Sequence, residues 1–185
     1  MEIRLFGHRD VSEAVELSNA AGWNQIESDW HRIVTLQPDG CLGAWVDGRL
    51  VGTTTFVTYG HELAWIGMVL VRPEARGQGI GTRLVRAAMD VLRQGAVDVV
   101  GLDATEAGQP LYEREGFAEV APIIRWSGSP DIVGDPDAAS VITADTLDPV
   151  AAYDRAVTGI DRTSLLRELL KIDEGTGFFI ADAEG

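Results

Sequence analysis

The residues best placed to do chemistry form one run, Val69-Leu70-Val71-Arg72-Pro73-Glu74-Ala75-Arg76-Gly77-Gln78-Gly79-Ile80-Gly81-Thr82. Its first residues are apolar and β-favouring, its centre is a glycine-rich turn, and an amphipathic stretch follows. A turn that opens a helix leaves successive backbone N–H groups without intrahelical acceptors, and the helix dipole adds positive potential. Such a turn cradles a pyrophosphate. Glycines at 77, 79 and 81 admit phosphates close to the backbone, and Arg76 adds a fixed positive charge. A lone Gly-x-Gly would equally suit a connection with no ligand. The spacing Arg-x-x-Gly-x-Gly between a strand and a helix favours the phosphate site. Elsewhere chemistry is sparse. His8, His31 and His61 have no Cys, Asp or His neighbours at metal-ligand spacing, so neither a metal site nor a Ser-His-Asp hydrolase is expected. Cys41 is the single cysteine. It reads as a small buried hydrophobe in a strand, and it excludes a disulfide framework.

The elements that must position this turn follow from periodicity. A strand at Ile3 to Phe6 leads into a helix near 10 to 21, with Asp10 as its N-cap and Val11, Ala14, Val15 and Ser18 on one side. A loop carrying Gly22, Trp23 and Asn24 precedes a second helix over Glu27 to Leu36, ended by Pro38-Asp39-Gly40. Cys41 to Val46, Leu50 to Tyr59 and Glu62 to Val71 then form an antiparallel meander, with turns at Asp47-Gly48 and Gly60-His61. After the glycine turn, Thr82 to Gln94 is an amphipathic helix with Leu84, Val85, Ala88, Val91 and Leu92 inward. Val97 to Leu102 is almost wholly apolar, the pattern of a strand covered on both faces and paired in parallel. A short helix at Leu111 to Glu115 follows Pro110. Gly116 stops it, and a strand is expected at Phe117 to Trp126. The fold class is therefore α/β, a mixed central sheet with an antiparallel N-terminal meander and helices on both faces.

The expected domains are 1–127, a linker at 128–140 that is rich in Gly, Pro, Ser and Asp, and a region at 141–185. That last region repeats the opening of the first domain in element order. Val141 to Thr143 reads as a strand, and Asp148 to Val157 and Arg162 to Leu170 as helices, the second capped by Asp161. Gly175-Thr176-Gly177 and a strand at Phe178 to Ala181 come next, and 182–185 stand where Asp47-Gly48 turned the first copy. The second copy stops after its first two strands, as in a shortened version of a longer two-domain protein.

With 29 acidic residues against 15 basic ones, the formal net charge is -14, which disfavours nucleic acid and acidic membranes as partners. Lys171 is the only lysine. The acidity suits a high-salt cytoplasm better than codon bias alone. No apolar run approaches the roughly 20 residues that span a bilayer, and the N-terminus lacks a basic region followed by an apolar stretch. A cytoplasmic location is expected.

Arg76, Gly79 and Gly81 reproduce the (Arg or Gln)-x-x-Gly-x-(Gly or Ala) signature of the GNAT acetyltransferase superfamily, in the same strand-to-helix position. Leu111-Tyr112-Glu113-Arg114-Glu115-Gly116-Phe117 resembles the segment that flanks the CoA thiol in that family, and the resemblance covers residues 1 to 127. Trp65 to Val71, with Asp103-Ala104-Thr105 and Pro110-Leu111-Tyr112, is similar to a subgroup in which a second GNAT-like domain follows the first. The resemblance implies a GNAT fold and acetyl-CoA as cosubstrate, with no metal. Val69 and Val71 would offer main-chain hydrogen bonds to the pantetheine arm, and the Val69 region an N–H to the thioester oxygen. Gly77, Gln78, Gly79, Ile80, Gly81 and Thr82 would hold the pyrophosphate beside Arg76. Tyr112 would protonate the departing thiolate, although an aromatic at 112 also suits packing of its helix onto the sheet. Thr105 stands where many members have Asn. The strand Trp65 to Val71 lacks the glutamate that often activates the amine, which leaves Glu62 and Asp103 as the nearest carboxylates. The acceptor would be a small-molecule or peptide amine chosen near Trp23, Asn24 and Gln25, and a homodimer is compatible with this reading. A catalytically silent CoA-binding sensor is the alternative.

Overall fold

The computed structural model describes residues 1–124, 126, 128, 139–171 and 177–180. The chain divides into two compact units, Met1–Ala118 and Glu119–Gly185.

The first unit is built on a five-stranded sheet in sequence order: β1 (Glu2–Leu5), β2 (Cys41–Val46), β3 (Arg49–Tyr59), β4 (Leu63–Val71) and β5 (Val99–Leu102). The first four strands are antiparallel, and β5 runs parallel to β4. Asp47 and Gly48 both adopt positive φ, 51° and 80°, the conformation of a two-residue hairpin whose twist matches its strands. A parallel neighbour needs a crossover, supplied by α3 (Ile80–Gln94).

Helices cover both faces, as the sequence predicts. On one side α1 (Val11–Ala21) and α2 (Glu27–Leu36) bury Leu17, Trp30 and Val34 against Cys41, Trp45 and Leu50. On the other, Leu84, Ala88 and Leu92 of α3 pack on Leu42, Val51 and Ile66. Each such aliphatic side chain contributes about 1.5–3 kcal/mol by leaving water, so the inward stripe of α3 fixes where the glycine turn begins. Gly52 of β3 allows this close approach. A Cβ there would lie 2.9 Å from the Leu70 carbonyl oxygen and 3.1 Å from Leu84 Cδ1.

Three expectations change. Asp10 is the N-cap residue of α1 as expected, but its side chain makes no capping bond to that helix: its Oδ2 accepts the Gly7 N–H at 2.9 Å, because the chain enters α1 through a one-turn 3-10 helix at His8–Asp10. The strand expected at 97–102 is shorter and is not covered on both faces. Val99 is 57% exposed, since β5 is the edge of the sheet. No strand forms over the described part of Phe117 to Trp126, where Val120 and Trp126 are almost fully exposed. Pro122 lacks the N–H that a paired strand would need there.

In the second unit, β6 (Ser140–Val141) pairs antiparallel with β7 (Phe178–Phe179), and between them run α5 (Leu147–Thr158) and α6 (Thr163–Leu170). The helix expected from Arg162 starts at Thr163 with Arg162 as its N-cap residue, and Asp161, one residue earlier, accepts the Thr163 N–H at 3.0 Å. The β-α-α-β order is that of β1, α1, α2 and β2. Most of the linker read at 128–140, residue 127, Gly175-Thr176 and the terminal 182–185 lie outside the described residues. Among the described residues no helix is long and apolar enough to cross a membrane.

Candidate active site

β4 is paired along only part of its length on its β5 side. Parallel pairing runs from Leu63–Val99 to Ile66–Leu102 and then stops. Just beyond, on the β3 side, the register slips: Thr55 faces Gly67 while Thr53 faces Leu70, so one residue of β3 opposes two of β4. Met68 sits in this bulge with φ 49°, and its carbonyl accepts the Thr53 hydroxyl at 2.8 Å. Bulges bend and re-aim a strand. Past it, Val69 to Val71 and the chain after β5 form opposite walls of a groove of about 700 Å³.

One end of the groove is the glycine turn. Gly77 and Gly79 hold φ of 76° and 74°, a region that costs a residue with Cβ about 1–2 kcal/mol, and a Cβ at either would meet open space. Gly81 is glycine for a different reason. Its Cβ would lie 3.2 Å from Leu111 Cδ1, where the first turn of α3 meets α4 (Gln109–Arg114). Among the described residues the backbone N–H groups of 77 to 82 have no acceptor, and the ladder of α3 begins with the Arg83 N–H on the Gly79 carbonyl. Six unpaired donors at a helix N-terminus fit an anionic diphosphate. The Arg76 Nε donates to the Val71 carbonyl at 3.1 Å, folding the arginine back over the turn. That bond uses one lone pair of the Val71 carbonyl, one of the main-chain groups the sequence offers to a ligand.

The other end carries side chains. Tyr112 lines the groove, is 9% exposed, and packs edge-on against Phe117 with centroids 6.1 Å apart. Burial pushes its phenol above its ordinary pKa, so it stays a proton donor at neutral pH. Asp103, exposed at the end of β5, is the one carboxylate lining the groove among the described residues. Glu62, the other candidate, precedes β4 at its far end, about 25 Å away by strand rise. Thr105 also lines the groove, and its hydroxyl accepts the Gly108 N–H at 3.2 Å at the entry to α4.

Of the predicted residues, Val69, Val71, Arg76, Gly77, Gly79, Ile80, Gly81, Thr82 and Tyr112 come together around this groove. Ile80 points its side chain into the core at 4% exposure, so its backbone is what remains for a ligand. Gln78 is absent from the lining. Its amide turns back to the Glu74 carbonyl at 3.5 Å. Trp23 both packs on the α1–α2 cluster and lines the groove, whereas Asn24 and Gln25 do not line it.

Sequence reasoning missed the Met68 bulge, whose positive φ no residue type announces. It also missed Arg72, 6% exposed, which donates from Nε to the Leu50 carbonyl at 2.8 Å and from Nη2 to Glu16 at 2.7 Å. This arginine holds the exit of β4 into the turn, and it keeps the Glu16 carboxyl below its ordinary range. A contact between two histidines was missed as well. His8 and His31, 23 residues apart in sequence, stack with their Nδ1 atoms 2.7 Å apart, away from the groove lining. No cluster of three or more metal-ligating side chains occurs among the described residues.

Residues 10–117 match the Acetyltransferase (GNAT) family, and the chain belongs to it. The holothin acyltransferase of a Pseudoalteromonas species is 31% identical over 171 residues, covering 92% of this chain and 57% of that protein. A crystal structure from Pyrococcus horikoshii superposes with a TM-score of 0.76 at 24% identity, over 97% of this chain and 67% of that one. An N-acetyltransferase from Thermoplasma acidophilum, solved in complex with coenzyme A, has a TM-score of 0.56 at 18% identity, over 63% of this chain and 89% of its own. The chain thus spans little more than half the length of the curated relative.

Proposed function

We propose that this chain binds acetyl-CoA in the groove and transfers the acetyl group directly to a primary amine. The observation that carries the reading is the run of unpaired N–H groups from Gly77 to Thr82, joined by one groove to a buried tyrosine. The diphosphate would lie on the turn. The pantetheine arm would run along Val69 to Val71, where β4 has no partner strand on its β5 side among the described residues, and the Val69 backbone would orient the thioester. A Thermoplasma relative of the same fold, solved with coenzyme A, supports this donor.

Asp103 pairs with the incoming ammonium and passes one of its protons to solvent, the neutral nitrogen then bonds to the carbonyl carbon through its lone pair, and Asp103 takes the second proton, which that bond makes acidic. The carbon–sulfur bond breaks, and Tyr112 gives its proton to the departing thiolate. A weak acid suffices, since a thiol has a pKa near about 8.5. Trp23, on the wall nearest the α1–α2 loop, contacts the acceptor. The acceptor is a small molecule or a peptide amine. The β-α-α-β unit at 140–179 begins a second GNAT-like domain.

Thiol release with a panel of amines, for the wild type and Tyr112→Phe, tests this. Turnover with at least one amine and a collapse of kcat in the variant are expected. Saturable acetyl-CoA binding with no turnover on any amine would favour a CoA-binding sensor instead. Absence of binding would sink both readings.

A further inference from the structure

Among the described residues two cationic side chains line the groove, Arg76 and Arg114. The first is committed through its Nε to the Val71 carbonyl. Arg114 is different. It is exposed, and among the described residues it makes no hydrogen bond or ion pair, although carboxylates flank it in sequence on both sides. Both of those are engaged elsewhere. Glu113 Oε1 accepts the Gln109 amide at 2.9 Å. Glu115 is gripped by both arms of the Arg86 guanidinium, at 2.7 and 2.9 Å, and that hydrogen bonding holds its carboxyl below the ordinary range.

The placement of Arg114 is also fixed. The Arg86–Glu115 fork ties the end of α4 to α3. Leu111, one turn before Arg114 and on the same face of α4, meets Gly81 in the first turn of α3. The Arg114 cation therefore flanks the start of α3, beside the unpaired N–H groups of the glycine turn. Arg114 feels the neighbouring Glu115 carboxylate through space, but that carboxylate is engaged in the Arg86 fork. In a chain of net charge -14, an exposed cation with no hydrogen-bonded or ion-paired partner among the described residues, beside a diphosphate cradle, is a second anion subsite.

We infer that Arg114 binds the phosphomonoester on the ribose 3′ position of coenzyme A. This rests on the donor reading above: the ligand whose diphosphate fits the turn carries one further phosphate, on the adjacent ribose. A guanidinium suits a terminal phosphate dianion because its fork donates two parallel N–H bonds. The subsite adds affinity for the complete donor and discriminates against the same molecule lacking that group.

Isothermal titration of the full chain with coenzyme A and with 3′-dephospho-coenzyme A tests the assignment, in wild type, Arg114→Gln and Arg114→Lys, each checked for fold by circular dichroism. The wild type should prefer coenzyme A by about tenfold, the scale of one charge-assisted hydrogen-bonded contact. In Arg114→Gln the preference should fall to about twofold or less, with 3′-dephospho-coenzyme A binding as it does to the wild type, and Arg114→Lys should retain part of it. The assignment is overturned if the wild type does not discriminate, if Arg114→Gln keeps the full preference, or if it weakens both ligands equally, which would move Arg114 to the diphosphate. Folded wild type that binds neither ligand overturns the donor reading itself, a result distinct from loss of discrimination alone.

Discussion

The two ends of the groove are made of different material. The glycine turn offers backbone N–H groups held by the start of α3, so its function depends on chain path and only weakly on which side chains stand there. The far end offers the side chains of Asp103 and Tyr112, on two elements, where under the proposed function one atom decides the outcome. A backbone site tolerates substitution unless the path changes, whereas a side-chain site tolerates almost none. The same fold can therefore keep one donor while its reactive end changes.

Substitutions at the two ends should separate kcat from KM. The largest effect is expected for Tyr112→Phe, a loss of about 10²–10⁴-fold in kcat with acetyl-CoA affinity nearly unchanged, read by steady-state kinetics and titration. Because burial raises the phenol above its ordinary pKa, the wild type should keep its proton donor past about pH 10. Any alkaline limb belonging to Tyr112 should be missing in the variant. Next, Asp103→Asn should lower kcat by about 10–10²-fold near neutral pH and recover as pH rises and the amine arrives already neutral. Unchanged activity across pH would remove Asp103 from the chemistry.

At the backbone end, Gly79→Ala should weaken acetyl-CoA about tenfold through its positive φ, with kcat at saturation close to wild type. A large kcat loss there would erase the contrast between the ends. The smallest effect belongs to Cys41, whose thiol burial raises to about 12. Iodoacetamide should leave it unmodified in the native state at pH 8, as mass spectrometry would show.

The meander, α1, α2 and α3 were legible in the sequence because period and turn chemistry agree there: α2 begins and ends on the expected residues, Glu27 and Leu36. The phosphate turn was legible for the same reason, as three glycines stand between a strand and an amphipathic helix. What stayed hidden depends on partners distant in sequence. Arg72 reads as one more surface arginine until Glu16 and the Leu50 carbonyl meet it. The Met68 bulge leaves no mark in composition, and the His8–His31 contact needs two elements brought together. At β5 an apolar run was read as a covered strand, but apolar content does not reveal whether a neighbour exists. Which of Glu62 and Asp103 stands at the groove was also hidden, since Glu62 precedes β4 at its far end whereas Asp103 follows β5 where the groove opens.

The parallel pairing of β4 with β5 also bears on the order of assembly. The four antiparallel strands join through hairpins and one helical excursion, whereas β5 reaches β4 only after the whole of α3 has been laid down. Contacts that close long loops carry their entropy cost before any return, so the β4–β5 pairing, like that of β1 with β2, forms after the β2–β3–β4 hairpins. The groove has only one wall until β5 is in place. Ligand can therefore bind tightly only to the finished sheet, and its presence should slow unfolding while leaving the early steps of folding at their own pace.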